Sequence, residues 1–188
     1  MGGLIHVGAW DGREYIGDHR RLLLFEPQAA AFAELEANLG DAPNVELVNA
    51  AAGAEEGPAT MHVFEPNHSS SLLQPLVPRF STPVIPEIAY VGTETVTVVT
   101  LDGYLGGRDD FDTLRIDTQG YELEVLRGAM RTLRTLERVE LELHDPNTYA
   151  GAAGLPELDE FMVSQGFTRT GLDTERSDGL GDATYERS

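Results

Sequence analysis

Short apolar runs punctuated by turn residues open the chain. Leu4 to Val7 is one such run, closed by Gly8-Ala9-Trp10-Asp11-Gly12, and Arg21-Leu22-Leu23-Leu24-Phe25 is a second, ending at Glu26-Pro27. Runs of this length between turn signals read as buried strands. Ala29, Phe32, Leu35 and Leu39 then share one helical face that stops at Gly40, and Val45 to Val48 forms a third strand running into Asn49-Ala50-Ala51-Ala52-Gly53. The β-α-β-α-β order predicts an α/β fold with a parallel sheet and right-handed crossovers.

The middle of the chain has a different texture. Ala59 to Phe64 reads as a strand, and Thr93 to Leu101 alternates threonine and valine as a half-exposed strand does. Between them, residues 65–92 hold Pro66, Pro75, Pro78, Pro83 and Pro86 with Ser69-Ser70-Ser71, a length and composition expected of a lid or binding loop. Leu114 to Ile116 then ends on Asp117, a Gly-bearing turn follows, and Leu123, Leu126, Met130 and Leu133 return at helical spacing. Val139 to Leu143 is a further strand ending at His144-Asp145-Pro146, and Leu155 to Gln165 a helix with Gly166 as its stop. Phe167 to Leu172 and Ala183 to Arg187 are expected to close the fold as an antiparallel pair. With no internal repeat and no linker, residues 1–188 read as a single domain with a covering loop at 65–92.

Charge narrows the classes of partner. Thirteen basic residues, all arginine, stand against 32 acidic ones for a net −19. Such a field repels phosphate backbones, so nucleic acid is not an expected partner. The absence of lysine excludes P-loop and Schiff-base chemistry, and the absence of cysteine excludes disulfides, thiolate metal sites and thiol nucleophiles. No apolar run approaches the ~18 residues of a membrane span, and the start carries no basic region or cleavage site. A cytoplasmic protein without a membrane partner is the expectation, with its oligomeric state left open.

Chemistry gathers at strand ends. In an open α/β sheet, ligands bind beyond the carboxyl ends of the strands. Gly8 and Gly12 flank the first strand-to-helix turn, Glu26 follows the second strand where a carboxylate can accept from ribose hydroxyls, and Asp117 follows the fourth. Together they describe a nucleoside-type pocket. The first turn lacks the full G-x-G-x-x-G spacing of dinucleotide folds, which argues against a nicotinamide-dependent oxidoreductase. Asp117, Glu142 and His144, all at carboxyl ends of strands, are the candidate general bases, histidine having an ordinary pKa near ~6.5. Asp117 is also a candidate cap for the helix after it. Asp117, Glu142, His144 and Asp145 offer oxygen and nitrogen ligands, but nothing in their spacing demands a metal, and none is assigned.

On these residues the chain resembles the FkbM family of S-adenosylmethionine-dependent methyltransferases. The likeness rests on Ile5-His6-Val7-Gly8-Ala9-Trp10-Asp11-Gly12, Leu24-Phe25-Glu26-Pro27, Asn44 to Ala51, Ser69-Ser70-Ser71-Leu72, Thr100-Leu101-Asp102 and Arg115 to Ala129. It covers roughly residues 4–145, and Gly181 to Tyr185 resembles the ending of short members. The resemblance implies a class I (Rossmann-like) three-layer sandwich, a mostly parallel seven-stranded sheet with an antiparallel C-terminal pair, and O-methylation of a hydroxyl on a sugar or small secondary metabolite. By position, Gly8 with His6, Ala9, Trp10 and Asp11 would line the methionine moiety of S-adenosyl-L-methionine. Glu26, with Pro27 beside it, would hold the ribose hydroxyls, and Asn49, Ala50 and Ala51 would border the adenine. Asp117 would sit near the sulfonium and the acceptor, and the loop around Ser70 would close over them. The family's common form has Asp at the place of His6, which leaves the methionine amine without its usual acid unless Asp11 or Asp117 substitutes; Gln119 stands where Glu is also frequent. The chain starts at the first strand without the helices that often cover the pocket. That start suits a minimal enzyme, or alternatively a non-catalytic nucleoside-binding or partner module on the same fold.

Overall fold

A computed structural model describes residues 2–65, 69–76, 89–174 and 181–188. β1 (Leu4–Val7) and β2 (Leu22–Phe25) are buried at every position, as expected of strands covered on both faces. The main sheet is completed by β3 (Val45–Val48), β7 (Thr113–Ile116), β8 (Arg138–Leu143), β9 (Phe167–Asp173) and β10 (Gly181–Arg187), in the order β3-β2-β1-β7-β8-β10-β9. β3, β2, β1, β7 and β8 run parallel, and β10 is antiparallel to both β8 and β9. The expected mostly parallel sheet with an antiparallel C-terminal pair is therefore present. Because β1 pairs with β2 on one side and β7 on the other, its carboxyl end is the point where chain order reverses, the usual place for a ligand.

Alternate residues of the strands feed two cores. Ile5, Val7, Leu23, Phe25, Leu114 and Ile116 face α2 (Leu101–Leu105), α3 (Glu122–Arg127) and α4 (Leu155–Ser164). Leu4, Leu22 and Leu24 face α1 (Ala29–Leu39) and Tyr15. Burying a leucine side chain stabilises by about 2 kcal/mol, so the leucine-rich β2 is anchored from both sides. No helix among the described residues is long and apolar enough to cross a membrane.

The middle of the chain departs from expectation. β5 (Gly57–Glu65) and β6 (Ala89–Val99) form a long antiparallel hairpin, with the two-residue β4 (Ala51–Ala52) added to β6. The hairpin reaches Glu65 opposite Ala89, so residues 89–92 belong to a strand rather than to the proline-rich loop. Ala89, Tyr90 and Val91 are exposed and do not alternate with polar residues, so backbone pairing with β5 rather than an apolar pattern extends β6 through them. Of the loop, residues 69–76 are described, with Pro75 bridged to Tyr149; Pro66, Pro78, Pro83 and Pro86 lie outside the described residues. The helix expected to run from Leu123 past Met130 stops at Arg127. Gly128 packs so closely on the Gly53 carbonyl that a Cβ there would stand 1.9 Å from the oxygen. The chain turns, Leu133 is still buried, and Met130 is exposed.

Candidate active site

The tips of β1, β2 and β7 are tied together through backbone groups. The amides of Gly8 and Ala9 both donate to the Phe25 carbonyl, at 2.9 and 3.0 Å, and the Asp117 amide donates to Val7 at 2.9 Å. Gly8 has φ 89°, and a Cβ on it would lie 1.8 Å from the Asp117 carbonyl oxygen, so only glycine allows the two strand ends to meet. Beyond it Trp10 takes φ 47°, and the turn closes with the Gly12 amide on the Ala9 carbonyl at 3.0 Å. Asp11 is buried and accepts from the Arg13 amide.

Glu26 is buried at the tip of β2. Its Oε2 accepts from the Trp10 amide at 3.0 Å and its Oε1 from the Gln28 amide at 2.9 Å. Burial pushes its pKa up to about 7, outweighing these two hydrogen bonds, with Asp117 and Glu94 adding repulsion. Each oxygen retains acceptor capacity. Glu26 borders a cleft of 370 Å³ together with Pro27 and Ala51. His6, Gly8, Ala9, Trp10 and Asp11 form the β1 side of this cleft, Ser70 its cover and Asp117 its β7 side.

Four expected site residues stand elsewhere. Asn49 and Ala50 do not line the cleft; Asn49 instead donates to the carbonyls of Glu26 and Pro27 at 2.9 and 3.2 Å, holding the β2 tip. Glu142 and His144 lie behind Asp117 rather than on the wall. Gln119, at φ 57°, connects the two layers, since its side-chain amide donates to Asp117 Oδ1 at 2.9 Å and to Glu142 Oε2 at 2.8 Å. His144 places Nε2 3.4 Å from Glu142 and Nδ1 3.8 Å from Glu122. Burial works against the Asp117 carboxylate, but hydrogen bonds with Glu142 and with the Gln119 amide hold its pKa below the usual range.

Asp117 does not cap α3. Buried Glu122, the first residue of α3, instead ties the turn before the helix: its Oε1 accepts from the Thr118 and Gly120 amides and the Thr118 hydroxyl, while burial raises its pKa. His6 stands where the family's common form has Asp. Burial, and secondarily Arg115, lower its pKa to about 3, so it is a neutral imidazole with Nδ1 2.8 Å from the Tyr15 hydroxyl.

The serine segment is pinned rather than free-standing. Ser70 accepts from the Phe64 amide at 3.1 Å, Ser71 donates to the Gln119 carbonyl at 2.8 Å, and Tyr149 donates to the Ser69 carbonyl at 2.8 Å. Gln119, Glu122, Tyr15 and Tyr149 are the members of this site that sequence reading missed. A Gln-Gly turn followed by an acid at the head of an apolar helix was the available signal for the first two; the tyrosines gave none.

A parallel sheet with its site at the β1 switch point and an antiparallel closing strand is the class I methyltransferase fold. Residues 6–169 match the methyltransferase FkbM domain, and the chain belongs to that family. Solved structures share the fold at low identity. One is magnesium protoporphyrin IX methyltransferase from Synechocystis PCC 6803 with bound S-adenosylmethionine (TM-score 0.56, 10% identity, covering 100% of this chain and 70% of that one). Another is Aeropyrum pernix fibrillarin in complex with S-adenosyl-L-methionine (0.55, 10%, 98% and 66%). A third is Burkholderia thailandensis 1,6-didemethyltoxoflavin-N1-methyltransferase with bound 1,6-didemethyltoxoflavin and S-adenosylhomocysteine (0.54, 14%, 100% and 71%). No curated protein matches the sequence.

Proposed function

We propose that the chain is an S-adenosylmethionine-dependent O-methyltransferase acting on a hydroxyl of a small molecule, a sugar or secondary metabolite. One observation carries the cofactor part. Glu26 is a buried carboxylate with one backbone N–H on each oxygen and acceptor capacity left over, set at the switch point beside a 370 Å³ cleft. That donor-poor, acceptor-rich group fits a ribose diol. Ala51, Ala52, Met61 and Leu72 give the same cleft an apolar part suited to a purine, and the bare Gly8 backbone admits the amino-acid end. When bound, S-adenosylmethionine supplies a methyl group already activated on its sulfonium.

The residues of the chain then have an orienting task. Asp117, ionised at neutral pH, accepts a hydrogen bond from the acceptor hydroxyl and aims its oxygen. It takes the proton as the new O–C bond makes that hydroxyl acidic. Glu142 and His144 act through Asp117 by way of Gln119, fixing its orientation and charge. Ser70, Ser71 and Leu72 close one side of the cleft, and the chain works as one catalytic unit.

Calorimetric titration with S-adenosylmethionine and S-adenosylhomocysteine tests the cofactor; folded protein that binds neither overturns it. Transfer of labelled methyl to a pool of hydroxylated metabolites, with analysis of the methylated atom, tests the acceptor. Glu26→Ala is expected to weaken cofactor binding, whereas Asp117→Asn lowers turnover more than affinity.

A further inference from the structure

Trp10 is the one tryptophan of the chain, and it occupies a backbone conformation unfavourable to it. At φ 47° it lies in the left-handed region, which penalises a bulky side chain and persists only where the surroundings enforce it. Here they do so at both ends. The Trp10 amide is held by Glu26 Oε2 at 3.0 Å, and the Gly12-to-Ala9 hydrogen bond closes the turn around it. The residue is 39% exposed and lines the cleft. Its charged neighbours on that lining are Asp11, Glu14, Glu26 and Asp117 against Arg13, a balance that favours a bound cation.

Position adds to this. The indole springs from the residue whose own amide grips the proposed ribose-binding acid, and the ribose 5′ carbon is the one that carries the sulfonium sulfur. We propose that the indole face of Trp10 receives the positive charge of the cofactor's sulfonium, so that the site holds the charged methyl donor more tightly than neutral S-adenosylhomocysteine. This rests on the cofactor assigned above. Tryptophan is the strongest of the aromatic side chains in cation–π contact, and the attraction vanishes once the methyl group and its charge have left. The strained turn therefore favours release of the spent cofactor.

The experiment compares dissociation constants for three ligands, by calorimetry in every variant and, in the unmodified chain, also by quenching of its single tryptophan. These are S-adenosylmethionine, S-adenosylhomocysteine and sinefungin, whose ammonium replaces the sulfonium. The unmodified chain is expected to prefer both cations. Trp10→Leu and Trp10→Asn should shrink that preference by about 3- to 10-fold, with Trp10→Phe in between. Asparagine tolerates positive φ, so the Asn variant keeps the turn and the measurement free of folding defects. Equal weakening of all three ligands overturns the inference. So does an unchanged preference accompanied by a higher KM for the acceptor, which would make Trp10 an acceptor wall. Failure of the unmodified chain to bind any of the three removes the cofactor assignment itself, and this inference with it.

Discussion

At the scale of single residues, Glu26 sets stability against binding. Its pKa of about 7 in the folded protein lies above its ordinary value of 4.5. The stability that goes with its proton is therefore complete below about pH 4.5 and is lost as pH rises through 7. Above pH 8 the buried carboxylate costs about 3 kcal/mol. Glu26→Gln removes that charge but gives up one acceptor for a backbone N–H, worth about 1 kcal/mol. Thermal melts across pH should therefore cross, the variant being more stable above pH 7 and less stable below pH 5 by about 1 kcal/mol or more. Cofactor affinity of the unmodified chain should rise through pH 7 as the better acceptor forms, and the variant should bind weakly without that rise. Gln119 has a comparable role for Asp117. Gln119→Leu removes the donor shared by Asp117 and Glu142, which leaves two buried acids facing each other and raises the Asp117 pKa. The acidic limb of the pH–rate profile should shift upward, while the cofactor dissociation constant changes little.

Between elements, the decisive contact is the meeting of the β1 and β7 tips. Gly8→Ala would drive a methyl into the Asp117 carbonyl and strain a backbone at φ 89°. A loss of about 3 kcal/mol or more in denaturant unfolding is expected, together with loss of cofactor binding. The strands of the main sheet were legible because each is a short, mostly apolar or alternating run ended by turn residues, and Glu26 and Asp117 were legible because each directly follows one. The β5–β6 hairpin was legible only in part, since Ala89, Tyr90 and Val91 are exposed, show no alternation, and join β6 through backbone pairing with β5. The end of α3 was not legible at all: Met130 keeps helical spacing, but Gly128 must meet Gly53, a residue distant in sequence.

Over the whole molecule, self-repulsion outweighs local ion pairing. A net charge of −19 cannot be neutralised by exposed pairs such as Arg115–Glu14 and Arg138–Glu140, each worth well under about 1 kcal/mol. Raising salt from about 0.02 to 0.5 M screens both, and the net effect should be a Tm higher by roughly 3 °C, read in a melting series. Sequence alone determined the strand-helix order, the strand tips that hold Glu26 and Asp117, and the family likeness, because burial periodicity and turn residues are local properties. Only the tertiary structure decided that Glu142 and His144 stand behind the cleft, that Asn49 braces Glu26, that His6 is neutral on Tyr15, and that Trp10 faces the pocket in a strained turn. Those outcomes depend on which distant side chains share a buried space, and it is that shared space, with its desolvation and its partners, that sets charge and direction.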